Sequence, residues 1–567
     1  MLDPIKSVRR KKMNLLFAII LLISCLVMFL GDSQIDEQKN RDPLNALTQM
    51  TKEVGMEASL TALTLNATSY TLRTKESRRT FVIANYSDGS NDNVTEQSHY
   101  STTNSKVVTV NALGLITAVG PGYARVTIKY KGLTKLISVS VSTVFREANV
   151  KDFGACGDGV CDDTTAFQNA IDYLSIEGGG DVFVPAGTYI LNPIFLKPNV
   201  NLVGENRDNV ILKLSNAAPD DYTRLISMDD NTQVQSITCD GNYQNHPNGI
   251  EHMHCIFAYN KNNLLIDNNK MMNAYGDGIS ISGSEEASNY VIISNNIVLE
   301  NQRSQIVIEQ VNYLQIFNNM ITSETGRPGI HFEPWEKNQF YDAKITGNTI
   351  ITNSKGYCLL LAGSDSELVG EGVSEYFYHG IEFSQNIVKG PSCSLLIMNT
   401  SGAKIHDNML DVLEVFVWRK NEDVSIYNNK IKGINGVQIE GGLEERLISK
   451  GVNIYDNSIT TSEDGVIILA GSQDTTIKGN DFTGSGKGRG VSLFASANIL
   501  NTTISGNIFK NYQGGVYSES VGEKLVNSLT VSRNRFTNNI GYSLFVNGDS
   551  HNVKLDNNLV SDTSGKP

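Results

Sequence analysis

"VNIYDNSITTSEDGVIILAGSQDTTIKGNDF", residues 452–482, states one phrase twice: an apolar residue, two variable places, then asparagine, ending at Asn457 and again at Asn480. The phrase runs outward in both directions. It ends earlier at Asn269, Asn296, Asn319, Asn348, Asn386, Asn408 and Asn429, and later at Asn507, Asn534 and Asn558. Twelve copies at intervals of about 26 residues lie in the period range of solenoids. In a β-solenoid each coil stacks on the next at roughly 4.8 Å. An asparagine at one corner of every coil then bonds its neighbours above and below as a ladder. The apolar residue three places earlier fills the interior. The ladder is structural and carries no chemistry.

At 567 residues the chain exceeds what one swelling core supports, and a repeat grows by stacking instead. The 49 glycines against 12 prolines suit many short strands and tight turns. The formal charge is −13. Five basic groups and one acid fall in residues 1–12, leaving about −17 on the rest. So acidic a body repels phosphate and excludes nucleic acid as a partner, and it repels polyanionic glycans unless a local basic patch intervenes.

"KSVRRKK" precedes the apolar run "MNLLFAIILLISCLVMFL", residues 13–30. A basic then apolar start reads as a signal peptide or a membrane anchor over 1–31. Either places the remainder outside the cytoplasm, secreted or membrane-anchored, with 32–57 as a polar linker. Cys156 and Cys161, close together in a Gly-rich loop, are candidates to pair in an oxidising compartment. Cys239, Cys255, Cys358 and Cys393 read as free buried thiols. No spacing suggests zinc.

From Ser59 short alternating runs are broken by "SDGS", "NALG" and "GPG", the pattern of a small β-sandwich. "YSDGSNDNVT", "YSTTNSKVVTVNALGLITAVGPGYARVTI" and "ISVSVS" resemble the bacterial Ig-like group 2 domain, over 58–143. The resemblance implies a spacer or adhesive module. Next, "FREANVKDFGACGDGVCDDTTAFQNAIDYLSIEGGGDVFVPAGTYIL", residues 145–191, holds one helix. Asp163 is its expected N-cap, and Ala166, Phe167, Ala170, Ile171 and Leu174 its apolar face. A lone helix before a long run of strands suits a lid over the open end of a stack. This segment resembles the entry of the pectate-lyase-like superfamily. What that implies is an all-β chain whose residues 144–567 form a right-handed parallel β-helix, behind the sandwich and the N-terminal hydrophobic helix. Lyases, hydrolases, epimerases and phage tail spikes share the fold, so it leaves activity open. A tail-spike relation would imply a prophage origin and a trimer.

Function in such a stack sits on an outward strand face. Aligning "DGISISG" (277–283), "SQIVIEQ" (304–310) and "PGIHFEP" (328–334) by their inward pairs turns Ser280, Val307 and His331 outward together. Ser282, Glu309 and Glu333 follow in the same way. Arg303 and Arg327 fall at the entering corner, with Asp277 one coil below. Glu251, His252 and His254 join the same side. Stacked carboxylates repel, so one should hold its proton and the other lose it, as a glycosidase requires. The expectation is an extracellular polysaccharide-active enzyme that cleaves glycosidic bonds, hydrolase before lyase. Glu309, Glu333 and His331 are its catalytic candidates. Arg303, Arg327, Trp335, Asp277 and His254 hold a polysaccharide or cell-surface glycan. A lyase would admit calcium as a cofactor. Surface ion pairs of small worth are the plain alternative, and a glycan-binding surface or prophage protein without turnover is the other. Glu440 and the Trp418–Arg419 pair are weaker spots. The N-T-D, G-H-G and R-I-K signatures of polygalacturonases are absent. Of the Y-G-x-D-P-H signature of alginate epimerases and lyases only Tyr275 and Gly276 remain.

Overall fold

The structure is a computed structural model that describes residues 58–87, 90–142, 146–284, 286–325, 327–334, 340–353, 355–361, 378–442, 447–520, 524–546 and 550–561. The signal or anchor, the linker, Trp335 and Glu336 lie outside the described residues. Among the described residues no helix is long and apolar enough to cross a membrane. The chain divides into two units. The smaller, residues 1–60 and 86–88, is described only at 58–60, 86 and 87. The larger, residues 61–85 and 89–567, holds the β module and the solenoid.

From Glu147 the chain winds through three parallel sheets of 19, 16 and 14 strands among the described residues. Most coils give each sheet a strand in that order. Ser425–Tyr427, Lys430–Gly433 and Val437–Glu440 make one coil. Asn453–Tyr455, Ser458–Thr461 and Val466–Ala470 make the next. Ile426 pairs with Ile454, Ile431 with Ile459 and Val437 with Val466. Their inward side chains join one continuous core that runs from Ala148 to Phe536.

The ladder fixes this register. Each repeat asparagine sits at the corner between the first and second strands of its coil. Its Nδ2 donates to Oδ1 of the next asparagine at 2.9–3.2 Å through all eleven steps. The place just before each asparagine is not variable at all. It has a φ of 50–69° in all twelve copies. That left-handed conformation costs most side chains energy but suits Gly, Asn and Asp. Ten of the twelve are those residues, Gln385 and Arg533 being the exceptions. The corner therefore needs two specialists, one for conformation and one for hydrogen bonds.

The helix Thr164–Ile176 buries Ala166, Phe167, Ala170, Ile171 and Leu174, as its spacing predicts. Its cap differs from the expectation. The Asp163 side chain makes no cap bond. It turns back to accept the N–H groups of Cys156 at 2.5 Å and Gly157 at 3.2 Å. Asp162 instead accepts the N–H of Thr164 at 3.0 Å. The cysteines also reverse the expectation. Cys239 is bonded to Cys255 and Cys358 to Cys393, while Cys156 and Cys161 are free. Winding brings interior positions 16 and 35 residues apart to Cα separations of 6.0 and 5.5 Å, within bonding reach.

The N-terminal β module has its own core, including Leu72, Ile116, Val126, Ile128 and Val139. Strands Gly122–Tyr130 and Leu133–Ser142 pair antiparallel within it. It does not stand off as a spacer. It lies along the outer face of the 19-stranded sheet. Arg73 pairs with Asp181 and Asn93 bonds Asp342. Arg79 donates to Gln315 at 3.1 Å, and Phe81 meets Tyr290 at 5.5 Å between ring centroids.

Candidate active site

The 14-stranded sheet carries the polar patch on strands Arg224–Ser227, His254–Tyr259, Ile279–Ser282, Ile306–Ile308 and Ile330–Phe332. Ser280 pairs with Val307, and Val307 with His331. Glu309 and Glu333 follow one alternation later. The Glu309 N–H donates to Ile281 at 2.9 Å and the Glu333 N–H to Ile308 at 2.8 Å. The two acids therefore occupy adjacent rungs of the outer face, both partly exposed.

Their side chains have different partners. Glu309 accepts from the Ser282 hydroxyl. Glu333 pairs with Arg303, and His331 Nδ1 lies 3.8 Å from its Oε2. Arg303 is the hub. It meets Asp277 Oδ2 at 3.0 Å, Glu251 Oε2 at 3.4 Å and Glu333. Burial opposes its charge, but Asp277 and Glu333 outweigh that and hold it protonated. An arginine so engaged positions acids and has little left for a substrate.

Asp277 has no exposed side-chain surface. Burial lifts its carboxyl to about 7 even with Arg303 beside it. The Ser304 N–H donates to its Oδ1 at 3.0 Å. His254 stands 3.2 Å from Oδ2, and its Nδ1 accepts the Asp277 backbone N–H at 3.1 Å. Burial keeps that imidazole neutral. Asp277 and His254 are thus a support beneath the patch and out of substrate reach. Gly276 makes room for this packing. A Cβ there would stand 2.3 Å from the Glu251 carbonyl.

His331 faces outward one rung above Val307, and burial lowers it to about 4, so it is a neutral base at ordinary pH. Ser304 Oγ lies 3.5 Å from its Nδ1. Arg327 is exposed and makes no ion pair among the described residues, yet its charge reaches His331. Arg224 carries no signal in the sequence. Its guanidinium packs over Phe257 at 4.3 Å and feels Glu309, while its Nε has no hydrogen-bond partner among the described residues. Only strand pairing could reveal it, since Arg224 aligns with His254. Glu251, Asp277 and Glu333 converge on Arg303. The described residues place three metal-ligating atoms together only at Cys156, Asp158 and Cys161, remote in sequence from the patch. Thiols are not the oxygen set that calcium takes.

Residues 147–374 match the family described as rhamnogalacturonase A/epimerase, pectate lyase-like, and residues 414–560 the right handed beta helix region. The solenoid is thus similar over these two stretches to pectate-lyase-like proteins and to right-handed β-helices. Mannuronan C5-epimerase AlgE2 of Azotobacter vinelandii is 38% identical over 110 residues, 17% of this chain and 11% of that protein. Alginate lyase 7 of the same organism is 33% identical over 129 residues, 20% and 15% of the two chains. The chain therefore spans only about a tenth to a seventh of these relatives' lengths. The solved A-module of mannuronan C-5 epimerase AlgE6 is 18% identical, covers 73% of this chain and 99% of its own, and has a TM-score of 0.34.

Proposed function

We propose that the chain acts on a polysaccharide that contains uronate, by removing the proton at C5 of a uronate through His331. The single observation that carries this reading is the pairing of Glu333. Its side chain is tied to the cationic hub Arg303 and lies beside a neutral imidazole. A hydrolase needs one of its two carboxyls protonated to serve the leaving oxygen. Here the carboxyl poised to hold a proton, Asp277, is sealed off. The preference therefore moves from hydrolysis to proton abstraction, the step shared by β-elimination and epimerisation.

Glu333 and Ser304 draw the imidazole proton to Nδ1, which leaves the Nε2 lone pair as the base. Arg327 and Arg224 have no acid partner among the described residues and lie within the fields of His331 and Glu309 respectively. They are suited to a substrate carboxylate, whose neutralisation makes the C5 proton more acidic. Glu309, bound to Ser282, lies on the rung below Glu333 and faces the same substrate. The uronate-acting names of the partial relatives support the substrate class. We read the molecule as extracellular, with the Ig-like module bracing the helix and the N-terminal segment holding it to a membrane or directing secretion.

Incubating the protein with polymannuronate, polyguluronate and polygalacturonate in D2O tests the reaction. Deuterium at C5 reports epimerisation and C4–C5 unsaturated ends report β-elimination; either supports the reading, and His331→Ala should abolish both. New reducing ends with neither C5 deuterium nor unsaturated ends would restore the hydrolase. Binding without either product would identify the glycan-binding alternative.

A further inference from the structure

We infer that the C-terminal rungs of the 14-stranded sheet form a second binding station for acidic polysaccharide, far from the patch around His331. The inference rests on the polyuronate reading for its ligand class. The register column through His331 continues over Leu360, Leu396, Phe416, Gln438, Ile467, Ser492, Tyr517 and Phe545. Tyr517 is seven rungs from His331, about 34 Å at roughly 4.8 Å per rung.

There the Arg489 guanidinium lies 4.0 Å from the Tyr517 ring centroid and 5.4 Å from that of Phe494. Its Nε donates to the Tyr542 hydroxyl at 2.8 Å. Phe545, 46% exposed, stacks on Tyr517 at 5.2 Å. Arg489 makes no ion pair among the described residues. The local acids are engaged elsewhere. Glu519 accepts the Tyr517 hydroxyl at 2.6 Å, and Asp464 accepts the Arg489 backbone N–H and the Ser492 hydroxyl at 2.6 and 2.7 Å. Aromatic faces thus hold a guanidinium whose terminal nitrogens have no protein acceptor among the described residues. Such a fork matches a planar carboxylate, and the exposed ring beside it suits the apolar face of a sugar. Trp418 marks the way between. It carries Arg419 at 4.5 Å and lies three rungs from His331's strand, about 14 Å on. A uronate chain lying along the solenoid axis meets cation–aromatic pairs at both places. A short oligomer bound at His331 cannot reach Arg489.

The test compares the full chain with an Arg489→Gln/Tyr517→Ala double variant and with Phe545→Ser at its exposed site. Binding to polymannuronate, and binding of its trisaccharide at the first patch read from the His331 imidazole resonance, are measured alongside circular dichroism. Linked sites raise affinity without new contacts at either. The double variant should lose roughly tenfold or more in polymer affinity and Phe545→Ser part of that, with trisaccharide binding unchanged. Equal polymer affinity in all three proteins would overturn the station. So would a matching loss with trisaccharide, or wild-type protein that binds no polyuronate. Should neither C5 exchange nor unsaturated ends appear while polymer affinity still depends on Arg489, the station stands and the catalytic reading alone fails.

Discussion

Asp277→Asn isolates one titration in the patch. The folded carboxyl sits at about 7 against an ordinary 3.8. The gap of about three units is worth on the order of 4 kcal/mol. Below about pH 4 both folded and unfolded chains hold the proton, so the group makes no difference. Between about 4 and 7 the unfolded chain releases it and the folded chain keeps it. The native state therefore loses stability as pH rises through that window, and above about 7 the deficit is constant. His254 and His331 act with the opposite sign. Their folded values are lowered by burial, His331 to about 4, so their contribution is lost as pH falls below about 6.5. In the wild type the slopes oppose one another. Asparagine keeps an acceptor for the Ser304 N–H but turns an amide toward Arg303, a cost independent of pH. The variant should be the less stable protein near pH 4 and should gain about 4 kcal/mol on the wild type by pH 7. Urea unfolding at each pH, read peptide by peptide through hydrogen exchange over residues 277–308, measures that difference. A gap that stays within about 1 kcal/mol across the range would refute the claim that Asp277 is held protonated.

Asn457→Ala should open its coil and both neighbours. Its Oδ1 accepts from Asn429 N and Nδ2 at 2.9 and 3.0 Å, and its Nδ2 serves Ile426 O and Asn480 Oδ1 at 2.8 and 2.9 Å. With buried groups costing about 1–3 kcal/mol each when stranded, local hydrogen exchange should report a loss of about 4 kcal/mol. A loss under about 1 kcal/mol would remove the ladder from the account. His331→Ala should lower C5 exchange by about 10²–10⁴-fold. Glu333→Gln should lower it less and shift the pH profile, and an unchanged profile would deny its hold on the imidazole. Non-reducing peptide mapping should recover Cys239–Cys255 and Cys358–Cys393, and finding Cys156–Cys161 alone would restore the sequence expectation.

The solenoid was legible because it repeats: the phrase ending at Asn457 and Asn480 means the same thing twelve times. The outward alignment of Val307, His331, Glu309 and Glu333 followed from that register and the period-two rule. What stayed hidden depends on where long side chains finish. Arg303 and Arg327 look alike at the same corner, yet one is consumed by three acids and the other is unpaired among the described residues. Asp277 reads as a surface acid by spacing, yet its side chain is wholly buried, next to a Gly276 packed against the Glu251 carbonyl. The disulfides were missed for a related reason. Interior proximity follows winding number, which sequence separations of 16 and 35 residues do not display.

Docking of the N-terminal module bears on which face works. Its contacts run from Asp181 to Asp342 along the 19-stranded sheet, and those at Tyr290 and Gln315 fall on coils that carry the polar patch. Each coil offers only three outer faces, and on these coils one is occupied. The patch lies on another, the 14-stranded sheet. If the module braces those coils, cutting its anchor should loosen the patch without touching it. Arg73→Ala leaves Asp181 without its cation and with the Asn201 amide as its remaining donor. Faster exchange should then appear first in strands Gly180–Val184 and Val200–Gly204, and reach Ile306–Ile308 only if the module's other contacts also release. Loosening of Ile306–Ile308 with Phe81 and Arg79 still docked would show instead that the patch and the module are coupled through the solenoid itself.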